Sequence, residues 1–229
     1  MGNSSGIGVL DKSVLVLQTV AQAPCNLAEL TEATGLPRAT AHRLAAGLQT
    51  HRLLTRDGDG RWIPGPELHR LAGTARDAVV EAAAPLLPRL QQTTGESVQL
   101  YRLQGSERVC IAAVEPPTGL RNTVPVGSRL PMTAGSAARV LAAFGDRATQ
   151  EEAGFSDRAL AEVRRRGWAQ STGERADGVA SVSAPVHDGT GRIVAAVSVS
   201  GPIDRMGRRP GERWADDLLA IAAEIGARL

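Results

Sequence analysis

Thr34-Gly35-Leu36-Pro37-Arg38-Ala39-Thr40-Ala41-His42-Arg43-Leu44 is the stretch that decides how this chain is read. Gly35 stops a helix, because glycine takes the left-handed backbone of a tight turn without a Cβ penalty. Pro37 opens the next helix, where its missing N–H costs nothing. From there Ala41, Leu44, Ala45 and Leu48 recur at the spacing of one buried helical face. The opposite side carries Arg38, Ala39, His42, Arg43, Ala46 and Gln49. That side suits a major groove: arginine pairs two-pronged with guanine, glutamine does so with adenine, and alanines let the backbone come close. Thr40 lies at its flank near the helix start, where a hydroxyl and free amides can meet a phosphate.

Working outward, Leu10, Val14, Leu17 and Ala21 predict the inward stripe of a first helix that ends before Pro24. A second helix is expected after the N-cap Asn26, with Glu29 in its first turn and Leu27, Leu30 and Ala33 facing inward. Downstream, Leu53 to Arg56 and Arg61 to Pro64 flank Asp57-Gly58-Asp59-Gly60, the pattern of a β-hairpin. The DGDG run lacks the later spacing of a calcium-binding EF-hand, so it reads as a turn. Three helices and a hairpin make a winged helix-turn-helix over residues 7–66. Arg56 and Arg61, on either side of the hairpin tip, are placed to touch DNA backbone or minor groove. The competing reading of the same residues is a winged-helix interaction or sensor module that does not bind DNA.

Residues 67–95 read as linker helices, with a break expected near 75–77 and with Val79, Val80, Ala83, Leu86, Leu87 and Leu90 available for packing. Beyond Gly95 the pattern becomes mixed α/β, and residues 96–229 form the larger domain of an α+β protein. Strands are expected at Val98–Arg102, Arg108–Val114, Val179–Val186 and Arg192–Gly201, and helices at Ala137–Phe144, Arg158–Arg166 and Arg213–Arg228. Strands that arrive in hairpins predict an antiparallel sheet. In two of them serines recur at period two, Ser181 and Ser183, then Ser198 and Ser200, while the alternate positions are apolar. One face therefore packs a core and the other carries small hydroxyls, as a site for a small polar metabolite would. Met132 to Ala137 leads into a helix whose first amides, around Ser136 and Ala137, can receive a carboxylate. The alternative is close packing of that helix on small residues, with the serines bonded to backbone.

Composition narrows the function classes. Of 229 residues, 42% are hydrophobic and 22% charged, as in ordinary globular proteins. The net charge of +2 is small, but its distribution is uneven: residues 1–76 carry eight Lys/Arg against six acids, and residues 77–229 eighteen of each. The excess therefore sits with the helix expected to read the groove, as phosphate contacts require. Cys25 and Cys110 make neither a disulfide framework nor a metal spacing, and His42, His51, His69 and His187 form no HxH or HExxH pattern. No metal and no cofactor is expected. Gly135-Ser136-Ala137 lacks the second glycine of a nucleophile elbow, and no glycine-rich phosphate loop occurs, so no enzyme is expected. Met1 to Gly8 has neither the basic nor the apolar part of a secretory signal, and no apolar run is long enough for a membrane span. The expected location is the cytoplasm.

With those residues in view, the chain resembles the IclR family of bacterial transcriptional regulators along nearly its whole length. The resemblance is carried by Thr34 to Leu44, Gly127-Ser128-Arg129-Leu130-Pro131-Met132, Arg166-Gly167-Trp168-Ala169, the run Gly178 to Val186, and Val197-Ser198-Val199-Ser200-Gly201-Pro202. More narrowly, MGNSSGIGVLDK, TGESVQLYR, RRRGWAQS and GVASVSAPV resemble the actinobacterial NdgR group, which implies control of amino-acid metabolism and an amino acid or small carboxylate as effector. The family resemblance implies a GAF/PAS-like effector domain, homodimers or dimers of dimers, and palindromic DNA operators. It also implies effector contacts at Ser136, Ala137, Ser171, Ser181, Ser198 and Ser200. Ser171 stands where the family often has an acid, Ser181 where cysteine is common, and Gly173 replaces an acid before Glu174.

Overall fold

The computed structural model describes residues 5–74, 77–119 and 122–229. The chain divides into two compact units, residues 1–76 and 77–229. That division falls inside the segment expected as a linker. The helix break expected near 75–77 lies largely outside the described residues.

The first unit contains α1 (Gly8–Gln22), α2 (Leu27–Thr34), α3 (Arg38–Thr50), β1 (Leu54–Arg56), β2 (Trp62–Pro64) and α4 (Pro66–Thr74). Asn26 caps α2 by a reciprocal box: its side chain accepts from the Ala28 and Glu29 amides, and the Glu29 carboxylate accepts from the Asn26 amide at 2.8 Å. Gly35 ends the helix at φ +65°, as the turn requires. β1 and β2 pair antiparallel, Thr55 opposite Ile63. Trp62 also exchanges both backbone hydrogen bonds with Cys25, which ties the hairpin to the connection between α1 and α2.

The core of this unit is Val16, Val20, Leu30, Ala41, Ala45, Leu48, Leu54 and Trp62. It corrects two sequence expectations. In α1 the inward stripe is Val16, Leu17 and Val20, while Leu10, Val14 and Ala21 are exposed. The helix bears apolar residues on two sides, and periodicity alone does not say which side meets α2 and α3. In α2, Ala33 is exposed and Leu30 supplies the contact.

The second unit adds α5 (Ala78–Ala83), α6 (Leu87–Thr94), β3 (Ser97–Gln104), β4 (Glu107–Val114), β5 (Arg129–Pro131), α7 (Ser136–Phe144), α8 (Arg147–Ala153), α9 (Asp157–Arg166), β6 (Ala169–Thr172), β7 (Val179–His187), β8 (Ile193–Pro202), α10 (Ile203–Met206) and α11 (Gly211–Gly226). Six antiparallel strands form one sheet in the order β5-β4-β3-β8-β7-β6. The short edge strands β5 and β6 are not foreseen by the sequence. Helices cover both faces. Leu86, Leu87, Leu90, Val182, Val197 and Leu218 belong to the core under α5, α6 and α11. Tyr101, Cys110, Val140, Leu141, Leu160 and Ala196 belong to the core under α7 and α9. Val197 and Ala196 are neighbours in β8 and face opposite layers, as the pleat dictates. Helices α5 and α6, expected as part of a linker, are thus one wall of this unit's core.

Candidate functional site

In α3 the arginine side faces out. Arg38, Ala39, His42, Arg43 and Gln49 are exposed and Thr40 is half-buried, while Ala41, Ala45 and Leu48 are buried. Arg38 and Arg43 have no ion pair or side-chain hydrogen bond among the described residues, so both guanidiniums are available to an anionic partner. Four of the other predicted contacts, Gln49, Arg56, His42 and Arg61, make interactions within the unit. The Gln49 Oε1 accepts from the Trp62 indole at 3.2 Å. The Arg56 guanidinium lies over the Trp62 ring, 4.1 Å from its centre, and donates to the Gly60 carbonyl across the turn. The His42 ring meets Trp62 edge to face at 6.2 Å. Arg61 points back to the body: its guanidinium donates to the Pro24 carbonyl at 2.7 Å and to Glu29 at 2.8 Å.

Trp62 is the organiser that the sequence reading missed. It is the single Phe, Trp or Tyr of residues 1–76 and is 1% exposed. It links the hairpin to α3 through Gln49 and His42. Its isolation in that segment was the available signal.

In the second unit the serines come together. Across β7 and β8, Ser181 is opposite Ser200 and Ser183 opposite Ser198; on the other side of β8, Gln99 is opposite Ser198. The start of α7 descends onto this face. The Ser136 hydroxyl lies 2.7 Å from both the Ser181 and Ser183 hydroxyls, and Ser171 lies 3.0 Å from Ser181. Ser200 donates to Gln99 and accepts from the Asn122 amide, both at 2.8 Å. Ser136, Ser171, Ser181, Ser183 and Ser200 therefore bond through their hydroxyls to other side chains. Ser136, Ala137, Ser171, Ser181, Ser198 and Ser200, all named from the sequence, line one small cavity of about 20 Å³, partly open to solvent. Ser183 is buried beneath it.

Four further lining residues escaped the sequence reading: Tyr101, Arg108, Asn122 and Arg175. Arg108 is buried, and desolvation pulls its guanidinium down to about 10, with Tyr101 opposing and Arg175 adding to the fall. It remains a cation at neutral pH. Arg175 donates to the Asn122 side-chain oxygen at 2.7 Å. α7 has no side-chain cap at Gly135, so its first turn leaves amides for an outside acceptor. Burial also pushes the Cys110 thiol up to about 11, which keeps it un-ionised and unreactive. Among the described residues no histidine lines the cavity. Among them, too, no group of His, Cys, Asp and Glu is arranged to hold a metal ion, and no helix is long and apolar enough to cross a membrane.

Comparison with known proteins agrees with this layout. The model of the IclR helix-turn-helix domain matches residues 9–58, and that of the bacterial transcriptional regulator IclR C-terminal domain matches residues 72–156 and 155–227. The chain is 30% identical to the glycerol operon regulatory protein of Streptomyces griseus, over 86% of this chain and 85% of that protein. It is 28% identical to the HTH-type transcriptional regulator BhcR of Paracoccus denitrificans, over 97% of this chain and 88% of that protein. Its fold is that of the Thermotoga maritima IclR crystal structure, with a TM-score of 0.79 at 23% identity over 97% of this chain and 99% of that one. An IclR homologue from Microbacterium hydrocarbonoxydans, complexed with 4-hydroxybenzoate, has the same fold, with a TM-score of 0.81 at 24% identity over 96% and 98%. The models of the helix-turn-helix domain and of the C-terminal domain, which together match most of the length, leave one assignment: this chain belongs to the IclR family of bacterial transcriptional regulators.

Proposed function

We propose that this chain is a homodimeric regulator that reads a palindromic operator with α3 and responds to a small molecule held in the serine-lined cavity. The observation that carries the reading is the outward face of α3, where Arg38 and Arg43 stand exposed with no partner among the described residues. Arg38, Ala39, Thr40, His42 and Arg43 form the groove-reading surface. Gln49 ties the wing to α3 through Trp62, Arg56 lies over that ring within the wing, and Arg61 braces the cap of α2. Two copies related by a two-fold axis read two half-sites of opposite sense, hence the palindrome. The exposed apolar residues Ile7, Leu10 and Val14 support a second copy as neighbour. Ser136, Ala137, Ser171, Ser181, Ser198 and Ser200 form the effector contacts. The relative that holds 4-hydroxybenzoate supports a small organic ligand as the effector. The likeness of four stretches to the NdgR group supports genes of amino-acid or secondary metabolism as targets, with the protein acting in the cytoplasm as a regulator and not as an enzyme.

Selection from a pool of random duplexes tests this. An inverted repeat should emerge, bound by the full chain with an affinity that falls steeply as salt rises. A pool that shows no enrichment, with no salt-dependent binding, would favour the interaction-module reading.

A further inference from the structure

Trp62 joins the wing to α3 in a way that decides what Gln49 can offer to a duplex. The indole is 1% exposed, and its N–H donates to the Gln49 Oε1 at 3.2 Å. An indole N–H only donates, so the amide must turn its oxygen inward. Rotating the amide would set two donors against each other and leave a buried N–H without an acceptor, which costs more than the bond itself contributes. The ring is also fixed from behind. The Trp62 amide donates to the Cys25 carbonyl at 2.8 Å, and the Trp62 carbonyl accepts from the Cys25 amide at 3.2 Å.

Pairing with adenine needs the amide oxygen and nitrogen side by side on the base edge, one accepting from N6 and the other donating to N7. With its oxygen held by Trp62, Gln49 presents only its N–H donors, for which the described residues supply no acceptor. Gln49 also stands off the middle of the groove-facing side: by helical geometry it lies roughly 120° around α3 from Arg43, on the side that meets the wing.

The wing contributes a matching group. Arg56 lies over the same ring at 4.1 Å and has no ion pair among the described residues. The acid next to it, Asp57, accepts through its Oδ1 from the Asp59 and Arg61 amides and closes the turn. One buried indole thus carries a donor from α3 at its edge and a cation from the wing over its face. Neither presents an acceptor outward. Base edges carry donors as well as acceptors, whereas a phosphate only accepts.

We propose that Gln49 and Arg56, held by Trp62, form a phosphate seat at the seam between α3 and the wing, and that Gln49 does not read adenine. Trp62 is then a positioning residue: it touches no nucleotide and sets which end of the Gln49 amide faces outward. This rests on the reading of α3 as the duplex-facing helix and assigns one of its flanks to the DNA backbone.

Anisotropy titrations of the full chain test it over a range of salt, on the selected inverted repeat, on repeats with each base pair changed in turn, and on an unrelated duplex. Gln49→Glu keeps an oxygen for the indole and removes the outward donor. Its Tm should stay close to wild type, while its affinity for every duplex falls by the same factor, on the order of ten- to a hundredfold. The ranking of the base changes should not move. Arg56→Ala should also weaken every duplex alike and make the salt slope shallower by about one. Gln49→Ala should cost affinity in the wild-type background and much less in Trp62→Phe, which keeps a ring but has no N–H to orient the amide. Wild-type affinity in Gln49→Glu would make Gln49 a structural tie and overturn the proposal. Loss of discrimination at a single base pair, confined to the Gln49 variants, would make it a base reader; that too overturns the seat, and leaves α3 as the reading helix. An equal cost of Gln49→Ala in both backgrounds would remove Trp62 as the positioning residue. Should Trp62→Phe fail to fold, Gln49→Glu and Arg56→Ala decide alone. A wild type that binds none of the duplexes at any salt would overturn the reading of α3 itself.

Discussion

Arg61 and Arg43 are the same residue type, both near the proposed DNA surface, yet their surroundings give them different work. Arg61 spends its donors on Pro24 and Glu29, whose carboxylate also caps α2. Arg43 has no such ties among the described residues. Arg61→Ala should therefore lower the stability of the N-terminal unit, by no more than about 1 kcal/mol for a pair this exposed, and leave operator affinity close to wild type. Chemical denaturation and a DNA titration of the same variant check both halves; a large drop in affinity with unchanged stability would return Arg61 to the DNA surface. The contrast also shows the limit of reading arginines from sequence. In a chain with one lysine and twenty-five arginines, residue type says little, and the partner decides. Arg108 is hidden in the sequence for that reason, although it shares the strand side of buried Cys110, two positions on.

At the scale of elements, sequence signals are strongest where a residue has a single physical use. Asn26, Gly35 and Pro37 punctuate α2 and α3 as expected, and the period-two serines of β7 and β8 place one face of the sheet. Elements with little sequence of their own are illegible: β5 and β6 are three and four residues long and exist by pairing with longer neighbours. The stripe of α1 misleads because two apolar faces compete on one helix, and only the tertiary contact chooses between them. Helix α5 makes a test at this scale. The Asp77 carboxylate caps it, accepting from the Val79 and Val80 amides, and pairs two-pronged with Arg102 of β3 at 2.6 and 2.8 Å. Hydrogen bonding from Arg102 holds that carboxyl below the usual carboxylate range. A folded pKa below the unfolded one gives stability that is complete above the ordinary carboxylate range and is lost as pH falls through the folded value. Asp77→Ala should cost about 1 kcal/mol at neutral pH, a deficit that shrinks toward nothing in acid. Urea melts of both proteins across pH read the difference directly; a pH-independent gap would mean that the carboxylate charge is not what stabilises α5.

For the whole molecule, DNA reading and ligand holding are assigned to separate compact units, each with its own core. Either function should therefore be removable while the other persists. The sequence foreshadows this division of labour, since the excess positive charge lies in residues 1–76 and the serine alternation in the second unit. The cavity around Arg108 is not legible there, because Tyr101, Arg108, Asn122 and Arg175 come from separate segments that only the folded chain gathers. The central claim is that the arginine side of α3 lies on the phosphates and bases of a duplex. Fluorescence anisotropy of an operator fragment, titrated with wild type and with Arg38→Ala/Arg43→Ala over a range of salt, addresses it most directly. The double variant should bind more weakly at every salt concentration, with a log–log slope shallower by about one for each phosphate that the protein no longer neutralises. Equal affinity and an equal slope for the two proteins would contradict the account.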